Sequence, residues 1–262
     1  MNSVRVPLSE LQPYLDEYLG IGELPDEPAA LNGLQVENSG QVARLVAAVD
    51  ASQATLSALG GTDTGPPLVI VHHGLFWDGL RPLTGRRLRK VRSLLAADAA
   101  LYAAHIPLDV HPEVGNNAVL ARRLGLLSLS AFAPYKGILL GQAGNLPSPL
   151  TRAGLAEAVA RDLGVPASAI RVVPGGPDLV SRIGIVTGAG SSAIAAARET
   201  GCDALITGEG PAHSYFDAME LGVSVLFAGH YATETVGVQA LCEHLASRFG
   251  LPWAFHDHPT GM

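Results

Sequence analysis

Short apolar runs of strand type alternate with segments of helical period along most of this chain. No other feature restricts its fold as much. RLVAAVD at 44–50, LVIVH at 68–72 and LYAAH at 101–105 read as buried strands. Segments 51–59, 86–97 and 114–124 read as helices between and after them. Such alternation predicts parallel strands with helices packed on the sheet. Ahead of it, residues 8–19 place Leu11, Leu15, Tyr18 and Leu19 on one face, with Ser9 near the start, as an amphipathic helix does. The texture changes near 126, where AFAPYKGILLGQAGNLPSPL brings close-set Gly and Pro among short β-like pieces. Helix 150–163, strand 183–187, helix 191–200, strand 204–207, helix 213–221, strand 223–227, helix 233–249 and strand 253–256 complete the pattern. The expected fold class is α/β, with two α/β domains. The outer one comprises 1–125 plus 222–262, and the second, 126–221, is inserted in it.

Composition narrows the class of protein. Of 262 residues, 48% are hydrophobic and 16% charged, which suits a well-buried globular chain. A net charge of −7 supplies no global attraction to nucleic acid or to an anionic membrane. No apolar run approaches the ~20 residues of a membrane span, and the start lacks the apolar core of a signal peptide. Cys202 and Cys242 stand apart from one another, as in a reducing compartment, so the expected location is the cytoplasm. Residues 81–92 carry six basic side chains, but Leu88, Val91 and Leu95 give that helix an apolar face, so its cations read as a solvated surface.

Histidines and acids gather where strand-like runs end, which is where α/β proteins place their chemistry. His72-His73 closes VIVHH, and Gly74 lets the chain leave strand geometry so that both rings can serve one site. His105 and Asp109 flank Ile106-Pro107-Leu108, read as a rigid loop because Pro107 resists helix continuation. His230 and Glu234 sit four apart across a strand-to-helix junction, a loop imidazole beside a carboxylate of the first helical turn. Each has an ordinary alternative: one core and one surface histidine, a helix cap, a dipole-compensating acid. Together they suggest a metal centre with more than one ion. His213, after the GEG turn at 208–210, is a candidate to support the ligands from behind or to donate a proton. Thr187-Gly-Ala-Gly-Ser-Ser after a strand is a weak phosphate-loop candidate, neither a Walker motif nor GxGxxG.

The motifs NGLQVE (32–37), VHHGLFW (71–77), HIPLD…GNN (105–117), TGEGPAH (207–213) and AGHYATE (228–234) share their order and spacing with one family. The chain resembles the YbgI-like dinuclear metal-centre proteins, often labelled GTP cyclohydrolase I type 2 homologues, over nearly its whole length and in their short form. That resemblance implies a two-domain α/β subunit in a toroidal homohexamer. It implies two divalent ions per subunit (zinc, manganese, iron or cobalt) on His72, His73, Asp109, His230 and Glu234, with His105 a ligand or close neighbour. Where the family has HTPLD this chain has HIPLD, which loses a hydroxyl and keeps the ligands. The activity expected is metal-assisted hydrolysis of a small, nucleotide-like substrate, with Glu209 or His213 shuttling the proton. The rival readings are a phosphoesterase and a non-catalytic hexameric scaffold or regulatory protein.

Overall fold

The computed structural model describes residues 4–60 and 65–261, and the chain divides into two compact units. One comprises the residues up to Leu108 together with Val238–His258; the other comprises Asp109–Gly237 and the residues from Pro259 on. Residues 109–125 and 222–237, expected with the chain ends, group with the central unit. The reason is strand pairing and packing. Strand Ser224–Phe227 pairs on both sides with strands of that unit, and Leu120 and Ala121 lie in its core.

In the first unit, a β1–β3 pair (Val6–Pro7, Gln41–Val42) precedes and follows helix α1 (Leu8–Leu19). Helix α1 buries Leu8, Leu11, Leu15 and Leu19 at helical spacing and stops at Gly20, whose φ of 63° is the left-handed cap. The main sheet has the order β13-β4-β5-β6-β2, from Trp253–Phe255, Arg44–Asp50, Pro67–His73, Ala100–Ala103 and Gly33–Val36. Its first four strands are mutually parallel, and β2 runs antiparallel to β6. Strands β4, β5 and β6 are buried almost without interruption, as parallel strands covered on both faces must be. Helices α2 (Gln53–Ser57, capped by Ser52) and α3 (Gly85–Ala96) follow β4 and β5, with Leu56 and Leu94 in a core of Val46, Val69, Val71 and Leu101. Because β4, β5 and β6 are adjacent and parallel, their carboxyl ends form a row. Asp50 stands opposite His73 in register, and His105 follows β6.

Helix α4 (Ile106–Val110) and the final helix α9 (His230–Phe249) each contain a division between the units. The second unit holds helices α5 (Asn116–Arg123), α6 (Arg152–Leu163), α7 (Ile194–Glu199) and α8 (Ser214–Leu221). Its sheet has the order β7-β8-β10-β11-β12-β9, from Leu127–Tyr135, Ile138–Thr151, Leu179–Val186, Ala204–Thr207, Ser224–Phe227 and Arg171–Pro174. Strands β10, β11 and β12 are parallel, and the other three pair antiparallel around them. One core holds Leu155, Val159, Ile183 and Ile206; another holds Ala197, Leu205, Ala218 and Val225. Here too the ends of parallel strands line up: Thr187 after β10, Glu209 after β11 and His230 after β12.

Four local expectations change. The 105–109 segment is helix α4 and not a loop, because Pro107 falls in its first turn, where the missing N–H has no partner to lose. Helix α9 begins at His230, so His230 and Glu234 both lie on it. The Gly/Pro-rich stretch is a long β7–β8 hairpin, and β9 is a strand the periodicity did not mark. Helix α3 faces the core with Leu94 and Arg87, whereas Leu95 is 64% exposed. That last assignment is open to measurement. Leu94→Ala is expected to cost about 2–5 kcal/mol in urea unfolding, and Leu95→Ala no more than about 0.5 kcal/mol.

Candidate metal centre

In the first unit, His72, His73 and His105 come together. They offer ligand nitrogens that all lie within 4.8 Å of one another. The ring centroids of His72 are 4.9 Å from His73 and 5.0 Å from His105. Strand β5 extends through His73, yet both neighbouring rings join one group. Gly74 follows at the point where a Cβ would strike the Gln35 amide. Gln35 uses that closeness: its Oε1 accepts from the Leu75 amide at 2.7 Å, which turns the chain sharply away from the strand.

Each imidazole of this group is fastened through Nδ1. His72, 1% exposed, donates to the carbonyl of Ala104 at 2.9 Å. His73 donates to Asp50 Oδ1 at 3.0 Å and His105 to Asp26 Oδ1 at 2.7 Å. An Nδ1–H bonded to oxygen selects the tautomer whose lone pair is on Nε2, the atom a metal takes. Asp26 is itself tightly held, accepting from the Ile106 amide at 2.9 Å and Asn32 Nδ2 at 2.7 Å, while Asn32 Oδ1 accepts from the His105 amide at 2.8 Å. Burial works to raise the Asp26 pKa, but the bonds from His105 and Asn32 outweigh it and hold the carboxyl below its ordinary value. Asp26 and Asp50 did not figure among the candidate residues. Both are distant in sequence from the imidazoles they serve, so only pairing across the fold reveals them.

In the second unit, His230 Nδ1 lies 2.8 Å from Glu209 Oε1, and His230 Nε2 lies 3.0 Å from Glu234 Oε1. Glu234 is 2% exposed and four residues along the same helix face. Its bond to His230, with help from Glu209 and against the effect of burial, lifts the His230 pKa to about 9. The proton between Nε2 and the buried carboxylate therefore stands where a cation fits, flanked by one nitrogen and one oxygen ligand. Glu209 thus contacts the nitrogen of His230 remote from Glu234.

Asp109 accepts from Asn116 Nδ2 at 2.8 Å and Thr187 Oγ1 at 3.2 Å. Asn116 and Asn117, both fully buried, explain the GNN motif. Asn116 Oδ1 also accepts from the Gly237 amide, and Asn117 bonds the Asp109 carbonyl and the Thr187 amide. The glycine loop at 187–190 turns most of its amides inward: Thr187 donates to Asn117 Oδ1, Gly188 to Thr233 Oγ1 and Gly190 to Thr207 Oγ1. Gly188, at φ +65°, leaves no room for a Cβ beside Glu234 Oε1, so the loop serves to wall the carboxylate. His213 is exposed at the start of α8, and Glu209 engages His230 without it.

With that geometry in view, likeness to other proteins is informative. The model of the family described as Duf34/NIF3 (NGG1p interacting factor 3) matches residues 8–260. The chain belongs to the Duf34/NIF3 family. It is 46% identical to the GTP cyclohydrolase 1 type 2 homolog of Deinococcus radiodurans over 97% of this chain and 94% of that one. Its identity to the homolog of the same description from Pyrococcus abyssi is 42%, over 97% and 98%. The solved structure of protein ybgI, described as of unknown function, superposes with a TM-score of 0.88 at 37% identity, covering 98% of this chain and all of that one. A protein from Thermus thermophilus superposes at 0.85 with 40% identity, covering 98% of this chain and all of that one. Within the family fold, the candidate ligands are the imidazoles and acids at strand ends. Among the described residues, no helix is long and apolar enough to cross a membrane.

Two measurements follow from this geometry. A folded-state pKa of about 9 for His230, above the ordinary 6.5, stabilises the chelator-treated protein fully below pH 6.5. That contribution is lost as pH rises through 9. The thermal midpoint should therefore fall by a few degrees between pH 6.5 and 9.5, and His230→Gln should flatten this fall. Asp26→Asn and Asp50→Asn should each weaken zinc binding about 10- to 100-fold in competition with a chromogenic chelator, with little change in fold.

Proposed function

We propose that this protein is a dinuclear metal-dependent hydrolase acting on a small, nucleotide-like substrate, as the description of its relatives as GTP cyclohydrolase 1 type 2 homologs suggests. The ligands are His72, His73, His105, Asp109, His230 and Glu234. The observation that carries this reading is the shared second contact: all four imidazoles have Nδ1 held by an oxygen, three of them by a carboxylate. A histidine whose work is packing has no need of this arrangement, whereas a metal ligand gains orientation and basicity from it. The mixed nitrogen and oxygen donors suit zinc, manganese, iron or cobalt, two ions per subunit.

Such ions, when bound, supply Lewis acidity and a water acidic enough to attack near neutral pH. The protein's own residues do the rest. Asp26, Asp50 and Glu209 orient the imidazoles of His105, His73 and His230 by accepting hydrogen bonds from their Nδ1–H groups, which leaves Nε2 as the nitrogen that would hold an ion. Asn116 and Thr187 hold the Asp109 carboxylate by one oxygen. His213, exposed as it is, is the remaining candidate to pass a proton to or from solvent. We further propose the toroidal homohexamer, in the cytoplasm, as the working form. Tyr215, Phe216 and Met219 on α8 and Leu127, Leu129 and Leu139 on β7 and β8 are 41–61% exposed, apolar side chains that self-association would cover.

The test is a screen of nucleotides and phosphoesters with metal-loaded protein, run beside Asp109→Ala. Hydrolysis by the wild type is expected to fall at least 100-fold in the variant, while light scattering shows the same assembly and elemental analysis shows lost metal. A variant that merely unfolds, or a wild type inert towards the whole screen, decides for a structural metal site in a scaffold protein.

A further inference from the structure

Trp77 is the part of the VHHGLFW motif to which metal binding assigns no task. Its indole centroid lies 5.0 Å from that of His73 and 4.6 Å from that of His105, edge-on to the latter. Even so it remains 39% exposed. An indole meant only to shield the imidazoles would be better covered, since exposing an apolar ring of this size forgoes burial energy.

The residues on either side of Trp77 are held firmly. On one side Phe76 packs against the Val69–Val71 core, with the Arg87 guanidinium 5.9 Å from its ring centroid. On the other, Asp78 accepts from Arg86 Nη2 at 2.9 Å and Arg87 Nε at 3.0 Å. Arg87 is buried and also donates to the carbonyls of Gly79 and Arg81, while Arg81 Nε returns to the Asp78 carbonyl at 3.0 Å. Both neighbours of Trp77 are thus fixed to the body of the first unit, and a half-open aromatic surface is presented beside two ligand imidazoles. A fixed aromatic ring recognises planar, π-rich partners at little entropic cost.

We propose that Trp77 is a substrate-positioning residue, a platform on which a purine-type base stacks beside His73 and His105. This rests on the metal reading above, and it names the substrate class of that same site.

The chain has two tryptophans, so Trp253→Phe leaves Trp77 as the sole reporter in intact protein. Cobalt(II) added alone is expected to quench Trp77 emission. No quenching removes the metal reading, and this proposal with it. In zinc-loaded Trp253→Phe protein, GTP and ATP are expected to change the emission saturably, and ribose 5-phosphate and tripolyphosphate to leave it unchanged. Protein that responds to cobalt but to neither nucleotide overturns the stacking role alone, as does an equal response to the base-free compounds. By calorimetry, Trp77→Ala protein that still takes up cobalt should bind GTP roughly 10- to 100-fold more weakly, the cost of losing one base–aromatic stack, and Trp77→Phe should restore most of the loss. Equal GTP binding by wild type and Trp77→Ala overturns the proposal.

Discussion

An imidazole offers a cation one nitrogen, and what holds the other nitrogen decides which. In this protein that second contact governs the site. His72 is tied to a backbone carbonyl, and His73, His105 and His230 to Asp50, Asp26 and Glu209. The oxygens in turn depend on the fold. Asp50 ends β4 in register with His73, and Ala104 and His105 follow β6 directly. The parallel sheet is therefore the instrument that sets tautomer and orientation, and the chemistry follows from strand order.

Holding polar groups at buried strand ends costs solvation, and the chain offsets that cost with a dense set of hydrogen bonds. Asn32, Asn116 and Asn117 each bridge a backbone group to a site residue or its support. Glycines stand where any side chain would collide: Gly74 against Gln35, Gly188 against Glu234. Sequence motifs that look like loops of small residues are better understood as clearance around side chains that must not move. The glycine stretch at 187–190 makes the point, since the amides of Thr187, Gly188 and Gly190 bond Asn117, Thr233 and Thr207 within the fold.

The candidate imidazoles were legible because they lie where apolar runs end, which sequence shows best, and Asp109 and Glu234 follow His105 and His230 four residues on. Their supports were less so. Asp26, in a segment with no periodic signal, is 79 residues from His105, and Asp50, the last residue of the strand read at 44–50, is 23 from His73. The short helix at Ile106–Val110 was hidden by Pro107, because a proline in a first turn and a proline that ends a helix look alike in one dimension. Leu94 and Leu95 are adjacent, so a small error in helix phase exchanges a core residue for an exposed one.

By itself, the order of residues determined the α/β class, most strands and helices, and the family to which the chain belongs. Hydrophobic period and motif spacing are local properties, carried in full by neighbours along the chain. Only the tertiary structure decided which carboxylate grips which imidazole, Glu209 on His230 among them, and how Trp77 is presented. Those are contacts between residues brought together by strand pairing, and a linear pattern holds no record of distance across a sheet.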